Sequence, residues 1–82
     1  MSIAYEINDR FAESVDHLIK TKKFQSRQEL SRELGIEPNT LADFISRRTN
    51  VGIDVVLKLC DSFAISIEYQ LQGKGKMFLD KR

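Results

Sequence analysis

Residues 27–46 read RQELSRELGIEPNTLADFIS and form the most informative stretch of the chain. It predicts two short helices joined by a tight turn. Ser26 followed three residues later by Glu29 is a capping box, the side-chain and backbone lock that opens a helix. Gly35 ends that helix, because glycine adopts the left-handed conformation that closes helices. Pro38 fits the first turn of the second helix, where its missing N–H is not needed.

Steric requirements support this pair of helices. Two helices that cross steeply over a short turn need a small residue at their contact, and Ser31 supplies it. Ile36 fills the corner, while Leu41 and Phe44 anchor the second helix to the core. Helical spacing then places four residues on the opposite, solvent-facing side: Asn39, Ala42, Asp43 and Ser46. Asn can pair with adenine, Asp can accept from the cytosine amine and Ala can contact the thymine methyl group, so this face suits base edges.

Three further helices are predicted around this pair. The first is capped by Asn8 or Asp9, carries an apolar stripe and is closed by cations, which the helix dipole favours at a C-terminus. The stripe is Phe11, Val15, Leu18 and Ile19, and the cations are Lys20, Lys22 and Lys23. A fourth helix spans about residues 53–63, with Val56, Leu57, Leu59, Cys60 and Phe63 apolar. A short fifth helix begins near Ser66 and carries Ile67 and Leu71.

The two ends of the chain carry weaker signals. Ile3, Tyr5 and Ile7 alternate with small or polar residues, a pattern typical of a short strand. The apolar trio at residues 77–79 follows a glycine-rich break at residues 73–76. This trio either pairs with the N-terminal residues as a strand or packs on a partner protein.

Length and composition bound the class of protein. With 82 residues, the chain is expected to form one domain, with a core at about residues 9–72, a short N-terminal arm and a C-terminal tail. Cys60 is the only cysteine and His17 the only histidine, which argues against a disulfide scaffold and a zinc site. No cofactor is expected. The sequence has no apolar run of about 18–20 residues and no signal peptide, so a cytoplasmic location without membrane insertion is expected.

The charge distribution is uneven along the chain. The net charge is only +1, which is low for a DNA-binding domain. Residues 20–48, however, hold seven bases and four acids, a net charge of +3, and the rest of the chain carries −2. The basic excess therefore coincides with the two-helix stretch.

The stretch and the helices around it resemble the helix-turn-helix of the λ-repressor/Cro-like family, closest to the N-terminal DNA-binding domain of phage-type repressors. The likeness extends roughly from Phe11 to Met77. It implies an all-α, compact bundle of about five short helices that binds double-stranded operator DNA through the major groove, usually as a homodimer.

The resemblance also implies the residues that contact DNA. They are Arg27, Gln28, Pro38, Asn39, Thr40, Ala42, Asp43, Ser46, Arg47 and Arg48. Arg27 falls where the family contacts phosphate, while Pro38, Asn39, Ala42 and Asp43 fall where it faces bases. Ser46, with Arg47 and Arg48, falls where the family touches the DNA backbone again. Pro38 and Asp43 depart from the pattern, because proline has no N–H to donate and aspartate brings a negative charge to the groove.

Three classes of function are weighed against one another. The first is a DNA-binding transcriptional regulator, in particular a repressor. The alternative is a protein-interaction module, such as an antitoxin or an adaptor, which the near-neutral charge, Asp43 and the apolar tail favour. An enzyme has least support, because no paired carboxylates, Ser-His-Asp set or metal cluster stands out. Arg47 and Arg48 can also be cations that the helix dipole favours at a C-terminus, and this role and phosphate contact can hold together.

Overall fold

Helices account for most of residues 3–21 and 23–79, the parts of the chain that the computed structural model describes. Five helices lie in these ranges: α1 (Ile3–Lys20), α2 (Arg27–Leu34), α3 (Pro38–Ile45), α4 (Ile53–Phe63) and α5 (Ile67–Gln72). The all-α class and the predicted order of helices are therefore confirmed.

The first helix begins earlier than the sequence indicated. It starts at Ile3, so both the cap at Asn8 or Asp9 and the N-terminal strand were wrong predictions. The alternating pattern misled because Ile7 extends the apolar stripe of α1 by one turn and packs against the core. The helix ends at Lys20, as expected, and Lys22 lies outside the described residues.

All five helices or their flanking residues contribute to the hydrophobic core. Its buried members are Phe11, Val15, Leu18, Leu30, Leu34, Leu41, Phe44, Val55, Val56, Leu59, Cys60 and Ile65. The rings of Phe11 and Phe44 meet edge to face with their centroids 5.8 Å apart, which joins α1 to α3. Leu41 and Phe44 are thus anchors of α3, as predicted. Leu57 and Ile67 were grouped with the apolar faces of their helices, but each is 44% exposed.

The joint between α2 and α3 follows the predicted chemistry with one difference. The Glu29 amide donates to Ser26 Oγ at 3.3 Å, but the Glu29 carboxylate accepts from the Gln25 amide, one residue before the expected partner. Gly35 is left-handed with φ +74°, and Ser31 is buried and donates to the Gln28 carbonyl at 2.7 Å. Both ends of α2 are therefore closed by local hydrogen bonds.

The C-terminal tail pairs with the connection between α4 and α5. The Ser66 amide donates to the Met77 carbonyl and the Leu79 amide donates to the Ala64 carbonyl, both at 2.8 Å. These bonds flank an antiparallel bridge between Ile65 and Phe78. The prediction that the two ends of the chain pair with each other was therefore wrong. Residues 3–7 belong to α1 and offer no strand to pair with, whereas Ile65 lies thirteen residues before Phe78 in the connection between α4 and α5.

Candidate nucleic-acid interface

One face of α3 is open to solvent because the opposite face is fixed in the core. Leu41 and Phe44 are buried, so helical spacing turns the residues between them outward. Asn39, Ala42 and Ser46 are exposed, and Asp43 is half-buried beside them. These four residues line a shallow, open depression together with Arg27, Ile45 and Arg48. We call this depression the α3 face.

The α3 face unites six of the ten residues expected to contact DNA. Arg27 reaches it from the first residue of α2, and Arg48 reaches it from the loop that follows α3. Gln28 and Pro38 lie together on an adjoining surface where the two helices meet. Thr40 is partly buried, on a different side of α3 from the depression. The remaining residue, Arg47, is directed elsewhere.

Charges on the α3 face are partly matched. Arg48 Nε lies 3.7 Å from Asp43 Oδ1. Asp43, the acid expected to bring a negative charge to the DNA groove, therefore has a cation beside it. Arg27 is exposed and forms no ion pair with any residue in the described ranges. A negative ligand approaching this face therefore meets two cations, Arg27 and Arg48, together with short side chains and the carboxylate of Asp43.

Arg47 turns toward α1. Its backbone is left-handed, with φ +65°, and its guanidinium makes two hydrogen bonds to the carboxylate of Asp9. The bond from Nε to Oδ1 is 2.9 Å long, and the guanidinium carbon lies 5.3 Å from the centre of the Tyr5 ring. Hydrogen bonding to Arg47 holds the pKa of Asp9 below its usual range, so this carboxylate is ionised at neutral pH.

Asn8 fixes the loop that follows α3. Only 1% of its surface is exposed, and its amide nitrogen donates to the carbonyls of Phe44 at 2.7 Å and Thr49 at 2.8 Å. Its amide oxygen accepts from the Val51 N–H at 3.2 Å. One side chain thus holds the end of α3 and the loop that carries Arg48. Sequence reasoning missed this role by treating Asn8 as a cap, although its position three residues before Phe11 in the apolar register was a usable signal.

Comparison with protein families matches residues 15–68 to the model of the Cro/C1-type helix-turn-helix DNA-binding domain. The match covers more than half of the chain, and the chain therefore belongs to this family. No curated protein and no solved structure gives a significant match. Within residues 3–21 and 23–79, no helix is long and apolar enough to cross a membrane. The same ranges contain no group of three or more acidic, histidine or cysteine side chains arranged to hold a metal ion.

Replacing Asn8 with alanine is expected to lower the free energy of unfolding by about 1–3 kcal/mol, because two carbonyls and one N–H lose their buried partner. Urea denaturation measures this loss, and hydrogen exchange at the Val51 amide should become faster. The matched control is Asn50→Ala in the same loop, where the side chain is exposed and the expected change is within about 0.5 kcal/mol. Equal losses in the two variants would contradict the role assigned to Asn8.

Proposed function

We propose that this protein is a sequence-specific transcriptional regulator that represses by occupying operator DNA, with α3 in the major groove. Its family is one of DNA-binding domains, and the exposed α3 face is the observation that carries the proposal. Short polar and small side chains occupy the centre of that face, and arginines occupy its edges. Base edges require close approach without steric conflict, whereas phosphates require cations on either side of the groove.

Base recognition is assigned to the centre of the α3 face. Asn39 offers a donor and an acceptor in the geometry that pairs with adenine, and Ala42 presents a methyl group that suits thymine. Asp43 accepts from a cytosine amine when Arg48 moves from it to a phosphate, and without a cytosine its charge rejects the site. Pro38 at the first position of α3 contributes apolar contact only, since it has no N–H to donate.

Phosphate contact is assigned to the edges of the face. Arg27 and Arg48 hold the DNA backbone from α2 and from the loop after α3. The Ser46 hydroxyl, which donates to the Asp43 carbonyl at 3.3 Å, lies on the same face. Gln28 and the partly buried Thr40 add contacts near the start of α3, where the N-cap makes no side-chain hydrogen bond and helical N–H groups favour an anion. These contacts fix register and orientation and carry little sequence information.

A homodimer completes the proposal, since symmetric operators present two half-sites about one helical turn apart. We propose that the second copy packs on an apolar groove between α4, α5 and the tail. The exposed side chains of Leu57, Ile67 and Leu79 line it, and none of its lining residues belongs to the α3 face. Both surfaces can therefore be occupied at once.

Charges around the groove do not favour association by themselves. Lys58 lies among three acids, and these four groups form no ion pair within the described residues. The acids are Asp54, Asp61 and Glu68. Each copy therefore brings an excess of acids to the rim of the contact, so the proposed association rests on burial of the apolar side chains.

A protein-interaction module is the second candidate, and the same groove together with the net charge of +1 favours it. The two functions differ in their response to salt. DNA binding weakens steeply as salt rises because counterions are released from phosphates, whereas an apolar protein contact responds little. We propose a cytoplasmic location together with operator binding, whereas a protein-interaction module implies no particular compartment.

Two substitutions separate base reading from phosphate contact in titrations of labelled duplexes. Asn39→Ala should lose about 1–3 kcal/mol of discrimination at one base position, because one bidentate pair is removed. Arg27→Ala should weaken binding to all sequences alike and reduce the slope of log affinity against log salt by about 1. Lys74→Ala, an exposed base after α5 outside both the α3 face and the surface of Gln28 and Pro38, is the control and should change neither quantity. A changed base preference in Arg27→Ala would refute its assignment to phosphate.

The dimer face is tested by Leu57→Glu. Burying a carboxylate in the middle of the contact carries a large desolvation cost, so the dimer should dissociate at least tenfold more readily in sedimentation equilibrium. The control is Gln72→Glu, which adds the same charge at an exposed residue of α5 outside the groove and should leave the dimer intact. A Leu57→Glu protein that remains as dimeric as Gln72→Glu would show that the second copy packs elsewhere.

A further inference from the structure

Arg47 is next in sequence to residues of the α3 face, but its guanidinium forms an ion pair with Asp9 and does not line that face. We propose that Asp9 limits the DNA affinity of this domain by holding Arg47 away from phosphate. This inference rests on the proposed function, because it needs a DNA ligand at the α3 face. Asp9 lies before the stretch that matches the family, residues 15–68.

Two neighbouring arginines end the helix-turn-helix but point to different places. Arg48 lines the α3 face, and its backbone N–H donates to the Asp43 carbonyl at 2.9 Å. Arg47 takes the left-handed conformation in which a helix usually ends on glycine. That conformation directs the Arg47 side chain to α1, whereas the side chain of the next residue, Arg48, stays at the α3 face.

The contacts that hold Arg47 are those that a phosphate would need. Both oxygens of Asp9 accept from Nε and Nη2 of the guanidinium, which is the bidentate arrangement that carboxylates and phosphates share. The Tyr5 ring lies against the guanidinium carbon at 5.3 Å, so the group is held from two sides. While this pair is formed, Asp9 takes two of the five N–H donors of Arg47, on the edge of the guanidinium that a bidentate phosphate contact would use.

The pair is placed where exchange with a phosphate is feasible. About half of each side chain is exposed, 48% for Arg47 and 49% for Asp9, so water and salt already compete for the contact. Asn8 anchors the loop on either side of Arg47 through Phe44 and Thr49, so the loop keeps its place when the side chain moves. Removing the Asp9 charge therefore frees one cation and also removes one repulsive anion, with the backbone unchanged.

The test uses Asp9→Asn, which keeps the shape of the side chain and removes its charge. Affinity for a random-sequence duplex is measured by fluorescence anisotropy between about 50 and 200 mM salt. At about 50 mM salt, the affinity of Asp9→Asn should exceed that of the wild-type protein by about tenfold. The slope of log affinity against log salt should steepen by about 1, because one more phosphate is neutralised. Base preference should not change, and the gain should disappear in the double variant Asp9→Asn/Arg47→Ala.

The matched control is Asp16→Asn, which makes the same charge change on the same helix at an acid paired to Lys20 at 3.5 Å. It should raise affinity by less than twofold and leave the slope unchanged. Circular dichroism melting checks that each variant is folded, and Asp9→Ser replaces Asp9→Asn if the latter does not fold.

Equal gains in Asp9→Asn and Asp16→Asn, or weaker binding in Asp9→Asn, would overturn the inference while leaving the proposed function in place. Weaker binding would mean that Asp9 positions Arg47 for DNA instead of withholding it. A wild-type protein that binds no duplex at any of these salt concentrations would overturn the proposed function itself, and the inference with it.

Discussion

The packing of α1 across α3 is the contact on which the other features of the structure depend. Phe11 meets Phe44 edge to face, and three residues earlier Asn8 bonds to the carbonyl of the same phenylalanine. The apolar contact sets the rotation of α3 about its own axis, and the hydrogen bond sets where α3 ends. Because Phe44 points inward, Asn39, Ala42 and Asp43 must point outward. Without this contact α3 would have no defined exposed face to present to a groove.

Features decided by neighbours in sequence were predictable. The cap at Ser26, the left-handed Gly35, Pro38 at the first turn of α3 and the buried anchor Leu41 all depend on residues within one or two helical turns. Their local chemistry agrees with the fold, so pattern and structure coincide. The same agreement makes the family recognisable from the sequence alone.

Features decided by distant residues were not predictable. Asn8 has the side chain of a helix cap, and only its partners 36 to 43 residues away show that it is a buried clamp. The pairing of Phe78 with Ile65 likewise depends on where α5 returns the chain, which periodicity does not reveal. Gln70 is a further case, since its amide is buried and donates to Ser14 across 56 residues. Polar side chains that join separate helices look the same in sequence as polar side chains on the surface.

For the candidate site, helical spacing predicted which residues share a face but not how their charges are matched. The sequence suggested two arginines after α3 and an unpaired Asp43, whereas one arginine pairs with Asp43 and the other with Asp9. Ion pairs of this kind depend on backbone conformation at a single residue, here the left-handed Arg47. Arg27, which forms no ion pair within the described residues, is then the cation that leaves the α3 face locally positive.

Sequence-specific reading of duplex DNA by α3 is tested most directly by selecting bound duplexes from a random pool at about 50 and 200 mM salt. We expect one motif with two-fold symmetry to be enriched at both salt concentrations, with half-sites about one helical turn apart. Weak binding that enriches no motif and disappears at the higher salt would contradict sequence-specific reading and leave only nonspecific attraction to phosphate.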